Sequence, residues 1–257
     1  MAAPSSGVAV LVASEFIVRS VTASVRAADG EAAEDRVWDT VPVEALAAAA
    51  PWRTFRWYLG QRHYSGVFWS STQRDHVIYE SRLELAVLLA VDFGGSVSAI
   101  AAQPFLLRAE VGGVTRRHVP DYLLITDTGP VVVDVKPRRR LERPEVAATF
   151  EWTREVVARR GWRFEVRSEP PLTRTENLRF LAGYRRDWLF DPVLLDAVRG
   201  ADLHGASLGE AVRCLSGWPQ PLVRSAVLHL IWSGHFLVDL DRRLGAAHTL
   251  TTAVASR

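Results

Sequence analysis

Between His118 and Pro137 the chain reads HVPDYLLITDTGPVVVDVKP. Asp121 to Ile125 has the β-branched and aromatic content of a strand that opens with a carboxylate. Thr126-Asp127-Thr128-Gly129 is turn chemistry, and Val131 to Lys136 is a second strand. The pair makes a hairpin. Side chains alternate along a strand, so Asp134 and Lys136 leave one face while Val133 and Val135 leave the other. A carboxylate and an ammonium rising from a valine run are expensive to bury unless something pairs them, either each other or a metal ion.

Two readings of these residues stand side by side. In one, Asp134 and Lys136 form an exposed ion pair on an ordinary hairpin. In the other, Asp121 and Asp134 offer the hard oxygen donors that suit Mg²⁺, which takes one or two protein carboxylates and keeps several waters. Lys136 then orients or helps deprotonate an attacking water, or stabilises charge on a phosphate.

Working outward, Tyr79 to Val91 (YESRLELAVLLAV) has strong helix-forming composition, with Ser70, Ser71 or Thr72 as start signals further back. Leu83, Val87 and Ala90 fall on one stripe of this predicted helix. Glu80 and Glu84, at i and i+4, share another, and either reaches toward the hairpin. Val97 to Ala101 and Pro104 to Val111 are short strands. Gly112-Gly113 is a hairpin turn into Val114 to Val119, which carries Arg116 and Arg117 up to the aspartate as candidate contacts for a DNA backbone. His118 reads as a local hydrogen-bonding residue, since no second histidine stands at ligand spacing. Downstream of Pro137, Arg138-Arg139-Arg140 is a second candidate backbone contact. Glu145 to Arg160 is an amphipathic helix ending at Gly161, and Trp162 to Arg167 is a strand. Strand, helix, strand implies a parallel pair within a mixed sheet.

Pro120-Asp121, then Asp134-Val135-Lys136, preceded by Glu84, resembles the restriction-endonuclease-like nucleases, whose signature is a PD, a spacer and an acid-x-Lys. SRLELAVLLAVDF at Ser81 to Phe93, Gln103-Pro104-Phe105, HVPDYLL and VDVKP are similar to one branch: the TnsA family, the endonuclease subunit of Tn7-type heteromeric transposases. The likeness covers Tyr79 to Val166 best. It implies an α/β fold with a mixed sheet flanked by helices, and cleavage of one DNA strand at each transposon end while a separate transposase subunit handles the other. By position, Glu84, Asp121 and Lys136 match the family's catalytic residues, and Asp134 stands where some members have glutamine. The resemblance therefore implies Glu84, Asp121 and Asp134, with the Val135 carbonyl, as ligands of Mg²⁺ or Mn²⁺. The implied partners are double-stranded DNA, a DDE-type transposase and an ATPase regulator.

The rest of the chain bounds this expectation. With 257 residues and 48% hydrophobic content, it has enough apolar material for one large or two small domains, and the net charge is only +2. Cys214 is the only cysteine, which excludes an internal disulfide framework and a cysteine-rich zinc site. The apolar run GVAVLVASEFIV lacks a basic n-region, is interrupted by Glu15 and is too short to span a bilayer, so a cytoplasmic protein, nucleoid-associated when active, is expected.

Residues 1–50 are assigned only as one or two strands within Val8 to Val25 and a short helix from Pro42 to Ala50. Arg53 to Trp69 interleaves arginines with aromatics, as a core-packing hairpin or a phosphate-contacting surface. A nuclease domain is expected over 51–169 and a helical, winged-helix-like domain over 170–257, divided at Pro170-Pro171. In the latter, Asn177 to Tyr184 and Pro192 to Val198 are predicted helices. Ser207 to Leu215 and Pro221 to Trp232 form a helix-turn-helix-like pair, and His235 to Leu240 is a strand opening a wing. A stand-alone restriction or repair nuclease, or a non-catalytic DNA-binding assembly module, are the competing functions.

Overall fold

The computed structural model describes residues 17–27, 33–53 and 64–253. The expected strand content before Val18, and Arg56, Trp57, Tyr58, Arg62 and His63 of the aromatic stretch, lie outside the described residues.

Strand β1 (Val18–Val25) pairs antiparallel with β2 (Glu34–Val37). A short helix, α1 (Val43–Ala47), starts after Pro42, as the sequence suggests. Next comes a hairpin of β3 (Gly66–Ser70) and β4 (Asp75–Tyr79), and only then helix α2 (Arg82–Phe93). The helix therefore begins later than predicted. Tyr79 is the last residue of a strand, and Glu80 lies in the bend before the helix rather than on a helical face with Glu84. Ser81 supplies the cap, its hydroxyl accepting the Glu84 N–H at 3.1 Å.

The predicted starters Ser70, Ser71 and Thr72 instead turn the hairpin and hold the buried Asp92 carboxylate. The expected apolar stripe on α2 is also corrected. Glu84, Ala86, Val87, Leu88, Leu89, Val91 and Asp92 are all buried, because the helix is covered on several sides, while Leu83 and Ala90 are half-buried.

Strands β5 (Val97–Ala102), β6 (Leu106–Val111), β7 (Val114–His118), β8 (Tyr122–Thr126) and β9 (Gly129–Val135) follow. Gly112 and Gly113 both have positive φ, +57° and +79°. This is the geometry a two-residue hairpin turn requires and glycine supplies without a Cβ penalty. After β9 the three arginines form a short helix, α3 (Arg138–Leu141), that the sequence reading does not anticipate. Helix α4 (Pro144–Ala158) returns the chain to β10 (Arg163–Arg167), which lies parallel to β9.

Two four-stranded sheets result, ordered β2-β1-β6-β7 and β10-β9-β8-β5, the second mixed. Both faces of that sheet are covered, which is why Val131, Val132 and Val133 are all buried in succession. Val131, Val133 and Val135 pack in the cluster that includes α2. Val132 and Leu123 pack in the other, with Trp38, Phe105, Trp152, Val156 and Val157.

The C-terminal part comprises α5 (Leu172–Leu181), α6 (Pro192–Arg199), α7 (Leu208–Ala211) and α8 (Gln220–Trp232), then a two-stranded ladder of β11 (Phe236–Leu237) and β12 (Thr251–Thr252). Helix α5 starts directly after Pro171, earlier than expected, and the first helix of the predicted helix-turn-helix is a single turn. The strand expected over His235 to Leu240 shrinks to two residues, because only those find a partner at Thr251–Thr252. The cluster around α2 continues without a break into α5, α6 and α8. The Trp232 indole N–H reaches the Ser71 hydroxyl at 3.0 Å, and Arg185 donates to the Trp69 carbonyl at 2.8 Å. No helix among the described residues is long and apolar enough to cross a membrane.

Candidate active site

The β8–β9 register pairs Tyr122 with Val133 and closes at Thr126 and Gly129. One step further out, Asp121 therefore stands across from Asp134, at the open end of the hairpin. Two carboxylates in such opposition repel, so the arrangement needs compensation. Some is local. Asp121 Oδ2 accepts the Val135 N–H at 2.6 Å. Asp134, 1% exposed, is held at Oδ2 by His118 Nε2 at 2.8 Å. His118 is thus the local partner its sequence context suggests, and the Trp152 ring lies edge-on to it.

Glu84 approaches from α2. Its carboxylate accepts the Ser81 hydroxyl at 2.8 Å and the Glu80 N–H at 2.6 Å. Together with the Ser81 cap this is a close variant of the capping box, written in the sequence as Ser81-x-x-Glu84. The helix start thus fixes where the carboxylate sits.

Glu84, Asp121, Asp134, Val135 and Lys136 line one open pocket of about 400 Å³, together with Glu80, Arg53, Arg117 and His118. Among the arginines considered from sequence, Arg117 joins this lining. Arg116 lines a separate groove against α4, and Arg138, Arg139 and Arg140 are exposed on α3. A larger cleft of about 910 Å³ runs between the β3–β4 hairpin and α5 and α8. Its buried acid, Asp92, is already satisfied by Ser70, Ser71 and Thr72, whereas the smaller pocket gathers Glu84, Asp121, Asp134 and Lys136.

Burial, reinforced by the charges of Asp134 and Glu84, pushes the Asp121 carboxyl up to about 8, against the Val135 N–H and the Lys136 charge. Burial likewise raises Glu84, opposed by the Glu80 N–H and the Ser81 hydroxyl. Such a site gains stability from a proton or a cation. Lys136 is the only lysine in the chain; every other Lys/Arg position holds arginine. An amine, rather than a guanidinium with its donors in a fixed fork, stands two residues after Asp134 on the pocket lining.

Among the described residues, no group of three or more His, Cys, Asp or Glu side chains forms a set that could hold a metal ion as it stands. The donors nevertheless fit a hard cation of the Mg²⁺ type. Asp121 and Asp134 supply two oxygen ligands whose mutual repulsion a cation would relieve, and that number suffices when waters complete the shell. Glu84, engaged at both oxygens with its own helix start, is the least free of the three acids.

Residues 95–169 match the family model of the TnsA-like endonuclease N-terminal domain. This stretch is a TnsA-like endonuclease domain, of the restriction-endonuclease-like fold. The match contains Asp121, Asp134 and Lys136 and begins after Glu84. No curated protein matches the chain significantly. The structure brings two residues to the acids that the sequence does not place there: Arg53, on the pocket lining, and Gln103, bonded to the Asp121 carbonyl and to Glu80. In sequence, Arg53 belongs to an arginine-aromatic stretch and Gln103 to Gln103-Pro104-Phe105. Neither carries a local sequence signal for the site, because both arrive through long-range hydrogen bonds.

Proposed function

We propose that the chain is the DNA-cutting subunit of a Tn7-type heteromeric transposase, hydrolysing a phosphodiester in one strand at each transposon end. The observation that carries this reading is the meeting of Asp121, Asp134 and Glu84 with the chain's only lysine in one open pocket of a TnsA-like domain. Asp121 and Asp134, with the Val135 carbonyl, would hold Mg²⁺ or Mn²⁺, and Glu84 would join through an oxygen it now shares with the helix start. The metal would polarise a phosphoryl oxygen and lower the pKa of a bound water.

The protein's own groups do the rest. His118 holds Asp134 in one orientation, and the Val135 N–H does the same for Asp121. Lys136 balances the acids and orients the attacking water by donating to it. Arg53 and Arg117, on the pocket lining, offer guanidinium forks to phosphate oxygens flanking the scissile bond. Arg116 and Arg138 to Arg140 extend the backbone contact along the duplex.

Residues 51–169 serve as the nuclease unit and 170–257 as a winged-helix-like unit. The second assignment is supported by α7 and α8 followed by the β11–β12 ladder. That unit docks the DDE-type transposase and an ATPase regulator, in the cytoplasm and on the nucleoid.

The test is strand nicking of labelled element ends with Mg²⁺ or Mn²⁺, by the wild type and Asp134→Ala, with and without the neighbouring transposase. Metal-dependent nicking lost in the variant establishes the site, and dependence on the transposase establishes the assembly. Partner-independent cutting favours a stand-alone nuclease, and intact DNA or protein binding with no cutting favours an assembly module.

A further inference from the structure

Gln103 has a φ of +46° although it is not glycine, and it is 3% exposed. Few non-glycine residues adopt this left-handed backbone, and one that does so in a buried position is held there by its surroundings. All four of its hydrogen-bonding groups are engaged. Its N–H donates to the Asp121 carbonyl at 2.8 Å, and its carbonyl accepts the Trp52 N–H at 2.9 Å. Its side-chain Oε1 accepts the Arg53 N–H at 3.0 Å, and Nε2 donates to Glu80 Oε1 at 2.7 Å. With a backbone donor on one side and a carboxylate on the other, the orientation of the amide is determined.

These bonds join three segments of the pocket that are far apart in sequence. Asp121 is one hydrogen bond from Gln103. Glu84 is reached through Glu80, whose N–H holds the Glu84 carboxylate at 2.6 Å. Arg53 is pinned by its own backbone, so its side chain stands at the mouth of the pocket, with Nε 3.7 Å from Glu80 Oε1. The side-chain amide does what neither the β8–β9 hairpin nor the α2 cap does alone: it fixes the distance between the hairpin and the start of the helix.

We infer that Gln103 is a positioning residue of the nuclease site, setting Glu84 against Asp121 and holding Arg53 at the pocket mouth through its side-chain bonds to Glu80 and Arg53. The inference rests on the nuclease reading and deepens it. Gln103 touches no reacting atom. Its contribution is geometric, and displacements on the order of 1 Å at such a site lower rates by about 100-fold.

The experiment compares the full chain with Gln103→Gly, Glu80→Ala and the double variant. It measures Mn²⁺ affinity by calorimetric titration, nicking of a plasmid carrying the element ends, and the thermal midpoint. Glycine accepts the left-handed backbone, so Gln103→Gly removes the side-chain ties and leaves the chain path intact. The expected result is a thermal midpoint close to that of the wild type, Mn²⁺ binding weakened about 10-fold, and a nicking rate lowered about 10-fold to 100-fold. Glu80→Ala should reproduce much of the loss. The double variant should be no worse than the more damaging single one, because both changes cut the same tie.

Wild-type affinity and nicking in Gln103→Gly, or losses that multiply in the double variant, overturn the inference. Should Gln103→Gly fail to fold, Glu80→Ala decides alone, on a side chain 30% exposed: unchanged affinity and nicking overturn the inference, and reduced values support it. A wild type that binds Mn²⁺ but never nicks, with or without the neighbouring transposase, sinks the nuclease reading, while the Mn²⁺ titrations still decide the role of Gln103. A wild type that does neither overturns both.

Discussion

Replacing Asp121 by asparagine should remove a pH-dependent weakness from the metal-free fold. The Asp121 carboxyl titrates at about 8 in the folded chain against an ordinary value of 3.8. Because the folded-state value is the higher one, the folded chain keeps a proton that the unfolded chain releases. Stability is unaffected below about pH 4, falls as pH rises from there toward 8, and is flat above that. Integrated between pH 5 and pH 8, the full shift corresponds to about 4 kcal/mol.

Asp121 keeps some exposure to the pocket and its charge is shared with Asp134 and Glu84, so about half of that, about 2 kcal/mol, is the expected loss. Asparagine retains an oxygen for the Val135 N–H and carries no charge. Asp121→Asn should therefore lose about 2 kcal/mol less than the wild type over the same interval. Urea denaturation at pH 5 and pH 8 in chelator measures both slopes. Mg²⁺ added at pH 8 should stabilise the wild type and leave the variant nearly unmoved. Parallel wild-type and variant curves from pH 5 to pH 8 would refute the electrostatic account of the site.

Lys136→Ala should lower nicking by about 100-fold or more while duplex binding, followed by fluorescence anisotropy, changes little, and Lys136→Arg should not restore the rate. His118→Ala leaves a carboxylate 1% exposed without its partner. It should cost about 1.5–3 kcal/mol by chemical denaturation and weaken Mn²⁺ binding in the same protein. Trp38→Ala removes a fully buried ring packed on Phe105 and bonded to the Val156 carbonyl. It should cost about 3–5 kcal/mol, with Mn²⁺ affinity unchanged at temperatures where the variant is folded.

The hairpin around Asp121 and Asp134 was legible because its determinants are local: alternation along the strands and turn chemistry at Thr126 to Gly129. The same holds for the double glycine before Val114, the helix end at Gly161 (φ +67°) and the parallel return of β10. Where pairing over distance decides, the sequence misleads. Tyr79 and Glu80 have helical neighbours and read as helix, yet Tyr79 pairs with Gly66 in a hairpin. The available corrective was Ser81-x-x-Glu84, a capping signature that places the helix start after Glu80. Leu215 continues a helical pattern that ends at Ala211. Strand β2 is exposed along its whole length, so no alternation announces it. The backbone of Gln103 has no sequence signature at all, since glutamine is an unusual choice for positive φ and its partners come from three segments.

A chain with a single lysine carries its own label at the place where the chemistry is proposed. Reductive methylation with isotopically enriched formaldehyde would mark one side-chain amine, Lys136, and the terminal α-amine, giving a spectrum of two resolvable probes. Occupancy of the pocket by a cation, or approach of a phosphate, becomes visible as movement of one resonance, with the other as internal reference. The use of arginine in place of lysine everywhere else in the chain thus makes its proposed active centre selectively addressable by ordinary amine chemistry, without mutation.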